Sequence, residues 1–197
     1  HDWDSGLNLS CSKLQEKVQE YRMSMEKVFT RKKAEEYLED PWGPVEPNEY
    51  SVIEDDAAEV FSNYEDWLNF PLLKELSDAA AESFSTVKGD LCLSGLKRLS
   101  EGAAESLSKH QGERIDLSGL TELSDGAAES LSKYEGELNL SGLTSLSDEV
   151  AESLSKYKGE LWLMNVTKLS DAAAESLSKH EGCLRLNGLT SLSDAAA

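Results

Sequence analysis

The tetrapeptide Ala-Ala-Glu-Ser occupies residues 80–83, 103–106, 127–130 and 173–176, with Val150-Ala151-Glu152-Ser153 between the last two. Its glutamates, Glu82, Glu105, Glu129, Glu152 and Glu175, stand 23, 24, 23 and 23 residues apart. A fixed period of this size restricts what the chain can become. One copy is too small to bury its own apolar face, so successive copies must stack and share a core. An older-looking copy precedes the others: Ile53 to Phe61 holds Ala57-Ala58-Glu59, and Glu59 is again 23 residues before Glu82. The one extra residue falls in Glu113-Arg114, just ahead of a predicted strand.

A single copy shows what each position is for. Glu137-Leu138-Asn139-Leu140-Ser141 alternates polar and apolar residues, the period-2 mark of a short strand with one buried face. Gly142 follows, and the matching positions hold Gly95, Gly119, Asn165 and Gly188, residue types that tolerate positive φ; a tight turn out of the strand is expected there. Leu72 takes this place in the 67–88 copy, so that turn should differ. Ser147 and Asp148 can accept the free amides of a helix start. Ala151, Leu154 and Tyr157 then give a narrow apolar stripe, and Gly159 is placed to stop a helix of about 10 residues.

Stacked copies put their strands side by side in a parallel sheet with Leu138, Leu140 and their equivalents inside. The bulkier helices go to the other side. The expected fold is therefore α/β, a horseshoe-shaped solenoid with a parallel β-sheet on the concave face and α-helices on the convex face. Residues 138–148, Leu-Asn-Leu-Ser-Gly-Leu-Thr-Ser-Leu-Ser-Asp, resemble the cysteine-containing class of leucine-rich repeat, whose pattern is L-x-L-x-x-C-x-x-I-T-D. Leu143 stands where that class has its cysteine, and the copies are about three residues shorter than is usual for it. The sequence is also similar to short, Ala-rich bacterial arrays of planctomycete-like proteins. The resemblance covers 67–197 well and 45–66 weakly, and what it implies is a binding scaffold.

Residues 1–44 read differently. Leu14, Val18, Tyr21, Met25 and Val28 recur at fours and threes after Ser10 or Ser12, one face of an amphipathic helix. Ala34, Tyr37 and Leu38 continue it or belong to a second helix after Thr30, and Asp40-Pro41-Trp42-Gly43-Pro44 ends it. This segment is expected to be a helical cap over the open end. The remainder, 45–197, is expected to be the solenoid, with 45–66 a degenerate copy and 67–197 regular copies. The chain stops mid-copy at Asp194-Ala195-Ala196-Ala197, so more repeats are expected beyond it.

The net charge is -19, and residues 1–44 supply only -2 of it, so the repeats are the acidic part. Such a surface repels phosphate backbones and anionic lipid heads, which argues against nucleic-acid and membrane partners. Three cysteines, Cys11, Cys92 and Cys183, make no disulfide framework and no CxxC. Convergent Cys/His ligands at short spacing are missing, so no metal or cofactor is expected. His110 and His180 share one repeat position with Tyr134 and Tyr157 and read as helix-end residues. A Cys92–His110 pair would lie on different sides of a copy. No catalytic residue is assigned.

The outward strand positions are where the copies differ: Asn69, Cys92, Asp116, Asn139, Trp162 and Arg185, with Arg114, Met164 and Asn187 beside them. Trp and Arg are common interface anchors. The expectation is a non-enzymatic scaffold binding a protein or peptide on the concave face through Trp162, Arg185, Met164, Asn139, Asp116 and Asn187. A spacer array without a ligand and a regulatory domain of a larger protein are the rivals. The strand near Leu184–Leu186 is expected to dimerise edge to edge, or to fray.

Overall fold

Alternation of leucine with polar residues does produce short strands, and the computed structural model, which describes residues 27–191, pairs them in parallel. In chain order the elements are β1 (Val28–Phe29), α1 (Arg31–Glu39), a 3-10 turn (Pro47–Glu49), β2 (Val52–Ile53), α2 (Asp55–Glu59), β3 (Leu68–Asn69) and α3 (Asp78–Ser85). The regular copies follow as β4 (Leu91–Cys92), α4 (Glu101–Leu107), β5 (Arg114–Asp116), α5 (Asp125–Leu131), β6 (Glu137–Asn139), α6 (Asp148–Ser155), β7 (Leu161–Trp162), α7 (Asp171–Leu177) and β8 (Leu184–Arg185). Strands β3 to β8 form one parallel sheet in sequence order, while β1 and β2 pair separately. Each helix packs against the next along the chain. The result is an α/β array of repeating strand–helix units, compatible with a repeat solenoid.

The inward leucines close the core from the sheet side. Leu138, Leu140, Leu161 and Leu163 have no exposed surface, and Ala127, Ala128, Ala151 and Leu131 meet them from the helices. Small alanines let neighbouring helices approach. Each of α3 to α7 starts at a serine whose hydroxyl accepts the third amide of the helix, as Ser147 does from Val150 at 3.1 Å. The same hydroxyl donates to a first-turn carboxylate of the preceding helix, Ser147 to Asp125 and Ser124 to Glu101, both at 3.3 Å. The caps are thus linked from copy to copy. These five helices run to seven or eight residues, shorter than the spacing predicts. The difference is taken up by a tightened exit: Lys109 and His110 donate to Ser106 and Leu107, three residues back instead of four.

The predicted tight turns form, as where Leu143 donates to the Leu140 carbonyl at 3.1 Å, but without positive φ. No described glycine has positive φ, and Asn63 is the one described residue that does, at 63°. Close approach is the reason for glycine instead. A Cβ on Gly142 would stand 2.3 Å from the Leu120 carbonyl oxygen and 2.4 Å from that of Ser118. Asn165, in the same position one copy later, donates its side-chain amide to the Ser141 carbonyl at 2.7 Å. The helix-stopping glycines are equally crowded, for a Cβ on Gly159 would lie 2.1 Å from the Gly136 oxygen.

The N-terminal part departs from the pattern in two ways. Val28, predicted on a helix face, lies in β1 opposite Val52 of β2. Leu14, Val18, Tyr21 and Met25 lie outside the described residues, while Ala34 is buried in α1, which ends at Glu39 before the proline-rich turn. Strands β1 and β2 stand directly before their helices, where the later copies form a second, thinner ladder: Lys74 to Ser51, Thr121 to Lys97 and Thr190 to Thr167, amide to carbonyl at 3.0–3.2 Å. The main sheet begins only at β3. In it, Leu68 and Phe70 donate to Asp90 and Cys92, as Leu138 and Leu140 donate to Glu160 and Trp162. One period earlier those donors would be Val45 and Pro47, and proline has no amide hydrogen to give.

Candidate binding face

Because strand side chains alternate, every residue between two buried leucines points away from the core. The parallel register places these outward residues side by side: Asn69 against Cys92, Cys92 against Asp116, Asp116 against Asn139, Asn139 against Trp162, and Trp162 against Arg185. The side chains at the β5–β8 end of this column form one connected group. Trp162 is half-buried, and its indole Nε1 donates to Glu160 Oε1 at 2.9 Å. Arg185 Nε donates to that same oxygen. The Arg185 guanidinium carbon lies 4.9 Å from the indole ring centre, and that of Arg114 lies 5.0 Å from it. Arg114 in turn pairs with Glu137, its register partner on β6, at 3.1 Å.

Electrostatics follow from these contacts. The Arg185 hydrogen bond holds the Glu160 carboxyl below its ordinary range, and Glu160 raises Arg185 in return. Arg114 belongs to β5 and Trp162 to β7, so their stack bridges β6, the strand that carries Asn139. Asn139 is only 7% exposed although its strand position is outward. Its Oδ1 accepts the Ser141 amide at 3.0 Å, and Asp116 Oδ1 accepts the Ser118 amide at 2.9 Å. These two side chains shape the turn after their strands. The matching amide for Asn69 would come from Pro71, which has none, and Asn69 Oδ1 is buried without a hydrogen-bond partner among the described residues.

Of the residues singled out in the sequence, Trp162 and Arg185 are brought together, with Arg114 completing the stack. Met164 is half-buried further along β7's outward face, and Asn187 is exposed beyond β8. Asp116 and Asn139 are committed locally. Glu137 and Glu160 are not among the residues singled out from the sequence. Their signal was available, since each stands two residues before an outward residue and so shares its face.

Several other chemistry-bearing side chains are engaged with the backbone or with rings of neighbouring copies. Tyr134 donates its hydroxyl to the Gly112 carbonyl at 2.8 Å, and Tyr157 does the same to Gly136. His110 is buried with Nδ1 3.1 Å from the Phe84 carbonyl oxygen, and burial pushes its pKa below the ordinary value. His180 stacks on Tyr157 at 6.1 Å. Cys92 and Cys183 are free thiols. Among the described residues no group of three or more His, Cys, Asp or Glu could hold a metal ion, and no helix is long and apolar enough to cross a membrane. A cavity of about 520 Å³ lies away from Trp162, lined by Lys27, Asn48, Glu49, Ser51, Leu72 and Lys74. Compared with known proteins, the chain matches no family model and no curated sequence.

Proposed function

We propose that this chain is a leucine-rich-repeat solenoid, similar to short bacterial arrays, that serves as a non-enzymatic scaffold for a protein or peptide. The partner lies on the concave face of the β3–β8 sheet, centred on Trp162 and Arg185. In this reading residues up to 44 cap the array and 45–197 carry the repeats. The observation that carries the reading is the contrast between frame and face. Caps, leucines and glycines repeat from copy to copy, whereas the outward residues of β5 to β8 bring two arginines, two glutamates and one tryptophan into a single group. Trp162 and Met164 supply apolar contact beside charges that can fix a partner's orientation. The charge of -19 argues for a partner that is neither nucleic acid nor anionic membrane.

A displayed peptide library selected on the immobilised chain tests this, with Trp162→Ala as the counter-screen after matched circular dichroism and melting. Peptides that bind the parent and lose binding to the variant support the concave site. Peptides that hold both proteins equally place recognition elsewhere. A second reading, a spacer array, is favoured by one fact: each charge of the Trp162 group already has an internal partner. A selection that yields no binder to either protein supports the spacer.

A further inference from the structure

Asn187 is the single asparagine of the sequence followed by glycine. Asn69, Asn139 and Asn165 precede Phe70, Leu140 and Val166, whose side chains crowd the following amide nitrogen. In three other copies the same turn carries Ser-Gly, at Ser94-Gly95, Ser118-Gly119 and Ser141-Gly142, and in the remaining two it carries Pro71-Leu72 and Met164-Asn165. Asn187 and Gly188 form the middle of a turn closed by the Leu189 amide on the Leu186 carbonyl at 3.1 Å. The Asn187 side chain is exposed, and its amide is held by no acceptor or donor among the described residues. The Gly188 N–H likewise meets no acceptor among them. Neither the nucleophile nor the electrophile is therefore held by a hydrogen bond to a described residue.

We infer that Asn187 is a site of spontaneous deamidation in the folded protein. The Gly188 backbone nitrogen attacks Asn187 Cγ, a C–N bond forms to close a five-membered succinimide, and the side-chain nitrogen leaves as ammonia after taking up the proton that the Gly188 nitrogen gives up. Water then adds to one of the two imide carbonyls. Opening at one side gives aspartate; opening at the other gives isoaspartate, in which the main chain runs through the former side-chain carbon. Both products place a new carboxylate one register step beyond Arg185, beside Met164. The isoaspartate also lengthens the backbone at a point with no slack, because Gly188 is packed so closely on the Met164 carbonyl that a Cβ would stand 2.3 Å from it. The Thr190 amide and hydroxyl bonds to Thr167, both 3.1 Å, follow directly and would be strained.

The test is incubation of the full chain, natively folded, in warm and mildly alkaline buffer. Isoaspartate is labelled with an isoaspartyl methyltransferase and located by peptide fragmentation, while anion exchange follows charge. The expected result is a label at residue 187 ahead of every other asparagine, a species carrying one additional negative charge, and loss of both in Asn187→Gln, whose ring closure is slower. A denatured sample is run beside it. If residue 187 stays unmodified in the folded chain while the denatured chain converts, or if another asparagine converts first, the inference is overturned. Because the readout is chemical, it stands or falls independently of whether the concave face binds a partner.

Discussion

The first two strand–helix units and the regular copies after them solve one packing problem with different materials. From Gly89 onward the solution is repetition. Leucines fill the core, glycines let backbones touch, and serines tie each helix start to the helix before it. Between Val28 and Phe84 the core is aromatic. Phe61 touches Phe29, Tyr37, Tyr64 and Phe70, with ring centres 5.7–6.2 Å apart, and Phe70 stacks on Phe84 at 5.7 Å. Neither Thr30 nor Glu54, at the starts of α1 and α2, makes a side-chain capping bond. The difference teaches that identical small contacts can be replaced by a few large ones where the repeat breaks down. Stability is then concentrated in single residues at one end and spread over many at the other.

That concentration makes Phe61 the most sensitive position. Phe61→Ala removes a fully buried ring held by four others, and should cost about 3–5 kcal/mol. Urea denaturation measures the total, and hydrogen exchange locates it. Protection should fall first in α1, α2 and β3. Equal loss in β6 and α6 would break the comparison, because the two regions would then be one cooperative unit.

A smaller effect comes from the glycine contacts. Gly159→Ala forces a methyl against the Gly136 carbonyl at 2.1 Å, and overpacking of this kind costs about 1–3 kcal/mol. Gly43→Ala, in the turn after α1, meets the Asp40 carbonyl at 2.9 Å and should cost clearly less. Melting of the two variants side by side gives the answer. A Gly43 variant as damaged as the Gly159 variant would mean that backbone contact is no special property of the regular copies.

What the sequence disclosed, and what it hid, divide along the same line. Strand positions, buried leucines and the serine starts were legible because a periodic sequence repeats its evidence. The glycine positions were legible, but their cause was not. Left-handed turns and backbone contact both select glycine, and only the distance between neighbouring copies tells them apart. The helical spacing of Leu14 to Met25 runs on to Val28, whereas its pairing with Val52 is a contact between copies. At the face, Trp162 and Arg185 stood out as residue types. Glu137 and Glu160 did not, since in a chain this acidic a glutamate carries little information, and their roles come from the arginines opposite.

Capping sharpens the comparison at the level of single hydrogen bonds. Ser147→Ala deletes both the bond from the Val150 amide and the link to Asp125, and loss of such a cap costs about 1 kcal/mol. Thr30→Ala deletes no capping bond, so its effect should stay within about 0.5 kcal/mol. Chemical denaturation midpoints distinguish them. A Thr30 variant as destabilised as the Ser147 variant would show that α1 depends on its start in a way its geometry does not record.

The smallest effect concerns pH and the column of rings behind the sheet. At His110 burial dominates, against the opposing pull of the Phe84 and Gly89 carbonyls and the Asp90 carboxylate, so its folded-state pKa lies below the ordinary 6.5. Unfolding therefore takes up a proton when the pH lies between the two values. The stabilisation is complete above pH 6.5 and is lost progressively as the pH falls toward the folded-state pKa. Tyr134 and Tyr157 occupy the same position in the next two copies and donate to Gly112 and Gly136 without titrating in that range. His110→Tyr should let the new hydroxyl reach the Gly89 carbonyl and remove this part of the pH dependence. Denaturation midpoints of parent and variant, measured from neutral to mildly acid pH, isolate the His110 contribution, because relief of the chain's excess negative charge affects both equally. Parallel curves would mean that His110 is as readily protonated folded as unfolded, and that its ring has more room than the glycines packed around it allow.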